Sequence, residues 1–371
     1  MTKKEKNAKA PRKPDVGGQA VLEGVMMKSP NAIAIAVRKP DGSICVKCDP
    51  YVGPEKKHPW MKLPIVRGVV NMVLMLAMGM STLEESTRML GVEEEEPSKF
   101  EKWLAKKLGK SIDKIVIGTA IVLAVCLSVF LFVAIPSFFA SLVNKKVSSL
   151  LVVNLVSGAI RIFILMAYIW ACGLIPDMRR TFQYHGAEHK TVYCNEADLP
   201  LTPQNAKQFS TLHPRCGTSF LLITMILAIL VGAVADQLLH LLFGIERLSF
   251  AARLLRSIIL LPLLAGISYE ALKALAHSEN KLVRALRWPG LMLQHLTTRE
   301  PDESQLEVAI ASMNAALAGK KLAPTVVSAA KEEAPGEDAA VETAAVETAA
   351  VETAAVKDAA DKEAREEAAQ E

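Results

Sequence analysis

Aromatic side chains are scarce: Phe, Trp and Tyr make up 5% of the 371 residues. The 51% hydrophobic content and mean hydropathy of +0.26 are therefore mostly aliphatic. That is too apolar for an ordinary soluble protein, while 22% charged residues exclude a chain made only of membrane helices. A cleaved secretory leader is also not expected. No apolar run follows the lysines between Lys3 and Lys13, so the N-terminus is expected to stay uncleaved and cytoplasmic. The six cysteines, at 45, 48, 126, 172, 194 and 216, are spread along the chain, which excludes a secreted disulfide framework. They read as reduced thiols, some of them available as metal ligands. Charge is unevenly shared: residues 331–371 hold 4 Lys/Arg against 13 Asp/Glu within a net charge of +4, so the body is basic and the tail acidic.

Residues 1–14 read as a solvated, disordered basic arm, and nucleic acid is not expected as a partner. Residues 15–62 read as a β-rich cytoplasmic lobe. Within it Ala32–Val37 and Ser43–Lys47 are extended and Lys39-Pro40-Asp41-Gly42 is the turn of a hairpin. In the helical or interfacial segment 63–111, the apolar run Val66–Met80 is shorter than the roughly 20 residues that cross a bilayer. A four-helix membrane domain is expected over 112–275, with spans at Ile115–Leu142, Leu150–Ile175, Phe220–Leu242 and Ile258–Leu275.

Arg179, Arg180, Lys281, Arg284 and Arg287 flank these spans on one side, which predicts a multi-pass inner-membrane protein with both termini cytoplasmic. Residues 276–320 form a cytoplasmic helical segment. There Leu306, Ile310, Met313 and Leu317 recur at helical spacing, and Thr297 with Glu300 offers a capping box. From 321 to 371 an acidic Ala/Glu tail, with three Ala-Ala-Val-Glu-Thr repeats, is expected to be disordered. The fold class expected is thus an α-helical polytopic membrane protein with about four spans, a small N-terminal α+β lobe and a disordered tail.

Chemistry concentrates in the linker 176–219. If residues 185–189 are helical, His185 and His189 lie about 40° apart on one face with Glu188 beside them. Two imidazoles at that spacing grip one metal ion, and His-x-x-Glu-His is the inverted zincin pattern in which the carboxylate serves as general base. His213 and Cys216 are the leading further ligands, with Cys194, Glu196 and Asp198 behind them. Gly186 weakens the helix in mid-motif. The alternative is a hydrogen-bonded polar knot without metal. Cys45 and Cys48 have knuckle spacing but read as ordinary hairpin thiols. Arg161 and Glu270 lie at similar depth, roughly 16 to 18 Å into their spans, where they could pair. Asp236 is expected to reach the interface.

Several motifs also carry a resemblance: Gly17-Gly18-Gln19-Ala20-Val21-Leu22-Glu23-Gly24-Val25-Met26-Met27, Pro64-Ile65-Val66-Arg67-Gly68, Tyr184 to Lys190, and His213-Pro214-Arg215-Cys216-Gly217-Thr218-Ser219-Phe220. With Ser268-Tyr269-Glu270, Pro289-Gly290 and Thr297-Thr298-Arg299-Glu300-Pro301, they resemble the YqhQ family over about residues 15 to 318. That family of bacterial membrane proteins has no known function and has been labelled a metal-dependent enzyme. The resemblance implies that Glu23, Arg67, His185, Glu188, His189, His213, Cys216 and Glu270 form one functional set.

The expectation is a membrane protein carrying a divalent metal, zinc by ligand type, as a hydrolase at the cytoplasmic face. His185, His189, His213 and Cys216 are its candidate ligands and Glu188 its general base, with Glu23, Arg67, Arg161 and Glu270 in support. The alternative is a non-catalytic scaffold or regulator whose lobe docks a partner protein around a structural metal or polar cluster.

Overall fold

The computed structural model describes residues 16–53, 58–91, 103, 112–144, 149–245, 249–276 and 280–327. The basic arm and the repeat tail of the sequence reading lie outside these residues.

Four short strands open the chain: β1 (Gly17–Val21), β2 (Gly24–Lys28), β3 (Ala32–Arg38) and β4 (Ile44–Pro50). They pair as an antiparallel meander, and the hairpin expected around Lys39–Gly42 is β3–β4, its turn closed by the Gly42 amide on the Lys39 carbonyl. A fifth strand, β5 (Leu322–Val327), returns from the far end of the described chain and pairs antiparallel with β4. The segment expected to be tail from residue 321 therefore begins as part of the sheet.

Alternation along the strands serves two cores instead of one core and solvent. Val25, Met27, Ala34, Ala36, Val46 and Cys48 face one side. Met26, Ile35, Val37 and Cys45 face the other. Cys45 and Cys48 thus sit on opposite faces and cannot chelate one ion, and burial pushes both thiols up.

The first side is covered by α5 (Pro176–Glu196) and α10 (Glu303–Ala318). Leu306, Met313 and Tyr184 are fully buried there, each worth roughly 1.5–3 kcal/mol for its apolar surface. α10 is capped by Asp302, whose carboxylate accepts the Gln305 amide while the Gln305 side chain accepts the Asp302 amide. The expected box at Thr297 and Glu300 does not form, because Thr297 is the last residue of α9 (Lys281–Thr297).

The second side is covered by Met89 and Leu90 at the end of α1 (Val66–Leu90). α1 runs 25 residues, longer than the apolar run suggested, because its polar second half continues the helix onto the sheet and Lys47 pairs with Glu85 at 2.9 Å.

The remaining helices are apolar: α2 (Ile112–Val129), α3 (Ile135–Asn144), α4 (Leu150–Cys172), α7 (Gly217–Phe243) and α8 (Phe250–Ala276), with the short α6 (Pro203–Lys207) between α5 and α7. A π-turn at Phe130–Ala134 joins α2 to α3, absorbing the missing donor and ring of Pro136. By length and composition, five helices are apolar enough to cross a membrane: α1, the α2–α3 unit, α4, α7 and α8. The four expected spans are among them, and α1 is the addition.

The polar groups inside this layer are paired differently from expectation. Glu270 meets Arg67 of α1, Nε to Oε1 at 2.6 Å, and not Arg161. A residue on α1 was closer than one on α4 because α1 lies along α8. Asp236 does not reach outward. It is ion-paired with Arg256 of α8 and accepts a hydrogen bond from Asn154 of α4 at 3.2 Å.

Candidate metal centre

The first part of linker 176–219, His185 to His189 included, is helix α5, so the conditional geometry of the His-x-x-Glu-His stretch is met. Pro176 starts the helix, where its missing amide hydrogen is no loss, with Asp177 in the first turn. α5 is polar, yet the sheet, α10 and the loop before α7 bury most of its second half.

Gly186 is explained by a close approach. A Cβ there would stand 2.1 Å from the Arg299 carbonyl oxygen and 3.2 Å from Thr211 Cγ2. The missing side chain lets the connector between α9 and α10 lie against α5, where the Arg299 amide donates to the Phe182 carbonyl at 2.9 Å. Thr297, the last residue of α9 just before that connector, supplies its carbonyl to His185.

Both imidazoles of the motif are oriented by backbone carbonyls. His185 Nδ1 bonds to the Thr297 carbonyl at 2.9 Å, and His189 Nδ1 bonds to the Thr211 carbonyl. A carbonyl only accepts, so Nδ1 carries the proton in each ring and Nε2 presents its lone pair. His185 Nε2 lies 3.2 Å from Cys216 Sγ. His189 Nε2 is buried with no hydrogen-bond partner among the described residues. One ligand atom from each of His185, His189 and Cys216 falls within 4.8 Å of the others. Two imidazoles and a sulfur, with each Nδ1 held by a carbonyl, make a group that could hold a metal ion.

Cys216 is placed by α7. It is the N-cap, and its sulfur accepts the Thr218 amide at 3.4 Å, a position where the helix dipole suits negative charge.

His213 does not join this group. Its Nδ1 accepts the Arg215 amide at 3.3 Å, which leaves the proton on Nε2, turned to Glu196 Oε1 at 3.5 Å. This is the opposite tautomer to the other two rings. Burial pushes the Glu196 carboxyl up, but His213 and Arg215 outweigh it and hold the group below its ordinary range. The His213 ring lies tilted beside His189 and edge-on to Tyr193, so it packs behind the cluster.

Glu188 faces β1. Its Oε1 accepts the Gly18 amide at 2.9 Å, and its Oε2 lies 3.5 Å from His189 Nε2. Gly18 must be bare for this: an added Cβ would meet the Met26 carbonyl oxygen at 2.2 Å and Glu188 Cγ at 3.1 Å. Glu23, expected in support, instead clamps the β1–β2 turn to α5 through a two-pronged bond to Arg180 at 2.6 and 2.5 Å. Burial pushes the neighbouring Tyr184 phenol up, reinforced by the Glu23 charge. Arg67 and Glu270 pair with each other at the α1–α8 crossing, and Arg161 lies on α4; none of the three belongs to the His/Cys group.

Two residues that carry the site were not singled out from sequence. Lys190 is 3% exposed and donates to the Lys207 and Phe209 carbonyls at 2.8 and 2.6 Å and to Glu300 at 2.7 Å. It ties the loop carrying Thr211 to α5. Gln294 of α9 is fully buried. It accepts the His213 amide at 2.7 Å and donates to the His213 carbonyl at 2.8 Å and Ser219 Oγ at 3.0 Å. It fixes the turn that delivers Cys216. The one available signal was a lone amide within the apolar stretch Leu291-Met292-Leu293-Gln294.

Residues 63–319 match the model of a family described as a protein of unknown function, DUF1385. The chain is also similar to the uncharacterized protein YqhQ of Bacillus subtilis (strain 168), 35% identical over 312 residues that cover 81% of this chain and 92% of that one. No solved structure matches. The chain belongs to the DUF1385 family.

Proposed function

We propose that this DUF1385 member is an integral membrane protein that holds a zinc-class divalent ion with His185, His189 and Cys216 and acts as a metal-dependent hydrolase at the cytoplasmic face. The observation that carries the reading is the convergence of one ligand atom from each of two imidazoles and one sulfur within 4.8 Å, each ring held through Nδ1 by a backbone carbonyl. In this reading the lipid bilayer surrounds the α2–α3 unit, α4, α7 and α8. The large exposed aliphatic surface of these helices supports it, as does the basic flank of Arg179, Lys281 and Arg287.

Three protein ligands leave one tetrahedral position for water or substrate. A divalent ion there supplies Lewis-acid polarisation and acidifies water. The chain's own residues do the rest. Glu188, its Oε1 pinned by Gly18, turns Oε2 toward the His189 Nε2 side of the cluster, where it takes a proton from water and returns it to a leaving group. His213 and Gln294 hold the Cys216 turn in place.

One observation favours a second reading. Glu188 Oε2 is near enough to His189 that a small shift of the carboxylate would make it a fourth ligand and close the site, giving a structural metal in a scaffold or regulator whose sheet docks a partner protein.

Metal content and hydrolysis of chromogenic ester, phosphoester and peptide probes by the purified full-length chain separate the readings. The hydrolase reading expects about one zinc-class ion per chain, retained in Glu188→Gln with turnover lost, and absent from His189→Ala. Loss of the ion in Glu188→Gln favours the closed site. A folded wild-type chain without metal sinks both.

A further inference from the structure

Helix α1 passes the length and hydropathy test for a membrane span, yet its neighbours place it elsewhere. Helices α7 and α8 pack together and are tied by Asp236 and Arg256. Gly217, at the start of α7, lies about nineteen residues before Asp236, which in an antiparallel pair sets it level with the last turn of α8.

Three contacts then fix the height of α1. Gly68 meets Gly266 and Tyr269 of α8, where a Cβ would stand 2.7 Å from Gly266 Cα. Met75 Cε reaches the Gly217 position at 3.9 Å. Beyond it, Gln19 of β1 bonds to Thr82 at 2.6 Å and Lys47 of β4 pairs with Glu85.

Gly266 lies roughly 12 Å below the last turn of α8, and the rise from Gly68 to Met75 is about 10 Å, so the two measures agree. α1 therefore starts within the layer, leaves it near Met75 and finishes on the sheet. No part of it remains to reach the far side.

We propose that Pro59–Met75 is a re-entrant segment seated in the hydrocarbon of the single leaflet on the sheet side, and that α1 does not cross the membrane. This rests on the reading of α7 and α8 as spans. β4 ends at Pro50 on the sheet, a short 3-10 turn lies at Pro59–Lys62, and α1 begins at Val66, at the depth of Gly266. Trp60, Leu63, Val73, Met75 and Leu76 are exposed and apolar, the surface a leaflet would cover, with Trp60 and Lys62 types suited to an interface.

Irregular backbone at depth is tolerated where protein satisfies it. Here the turn is pinned: Ile65, at φ 68, sits on Gly266, and Arg67, two residues on, holds the Glu270 carboxylate of the same helix. That gives the Arg67–Glu270 pair a role, anchoring the tip of the segment.

The test uses the full-length protein in sealed vesicles of both orientations, with a membrane-impermeant maleimide and the wild type as background. His58→Cys and Thr87→Cys are each expected to gain one labelled thiol from the same face, and Ser249→Cys, in the α7–α8 loop, from the opposite face. Labelling of His58→Cys from the Ser249 side would overturn the proposal while leaving the spans intact. Labelling of Ser249→Cys from the Thr87 side would instead remove the spanning reading and the proposal with it. In parallel, chain-brominated phospholipid is expected to quench wild-type fluorescence more than that of Trp60→Phe, and equal quenching would place Trp60 outside the leaflet and overturn the seat proposed for it.

Discussion

Helices α5 and α4 use opposite chemistry for opposite surroundings. α5 is polar in sequence, yet Glu188, His189 and Lys190 are only 5%, 1% and 3% exposed. α4 is among the most apolar stretches, yet Phe163 is 72% exposed. In water both would be wrong way out. The contrast makes sense if α5 is ordered by protein hydrogen bonds and α4 is solvated by lipid, and each half can be broken separately.

The largest effect is expected from Lys190→Met, which keeps volume but leaves the Lys207 and Phe209 carbonyls without their donor. At 1–3 kcal/mol for each unsatisfied buried group, about 4 kcal/mol of stability should go, read by denaturant unfolding or by proteolysis of the loop before α7. Next is Phe163→Arg on α4. In hydrocarbon it should cost roughly 3 kcal/mol of insertion, read as the membrane-integrated fraction; in water it would change stability by no more than about 0.5 kcal/mol, which would end the comparison.

Gly186→Ala should cost about 2 kcal/mol by displacing the Arg299 carbonyl, and metal retention should fall with it, because Thr297, two residues before Arg299, orients His185. Glu196 gives a smaller, pH-dependent effect. Its lowered pKa stabilises the fold above the ordinary carboxylate range, and that contribution is lost as pH falls through the folded value; Glu196→Gln should flatten this acid limb in a melting profile. Smallest is Arg88→Ala, whose exposed pair with Glu84 should be worth under about 0.5 kcal/mol in the same melt.

Much of this was legible in local pattern. The β3–β4 hairpin announced itself through its turn residues, the apolar helices through unbroken aliphatic runs, and the two motif histidines through a four-residue spacing that α5 realises. What local pattern does not carry is which distant groups meet. β5 (Leu322–Val327) is itself weakly patterned and is paired as a strand where β4 offers it an edge. Arg67 and not Arg161 meets Glu270 because α1 lies against α8, a matter of packing between segments about two hundred residues apart. His213 has the residue type and spacing of a ligand, and its exclusion comes from one backbone amide that sets its tautomer. Gly18, Thr211 and Thr297 act through main-chain atoms, which leave little mark on side-chain identity.

Cobalt substitution tests the central claim most directly. The full-length chain loaded with Co2+ should take up one ion and show tetrahedral d–d absorption together with a thiolate charge-transfer band. Cys216→Ser should lose the thiolate band alone, His189→Ala should lose both, and His213→Gln should keep both. A folded wild-type chain that takes up no cobalt, or a thiolate band that survives Cys216→Ser, would contradict the account.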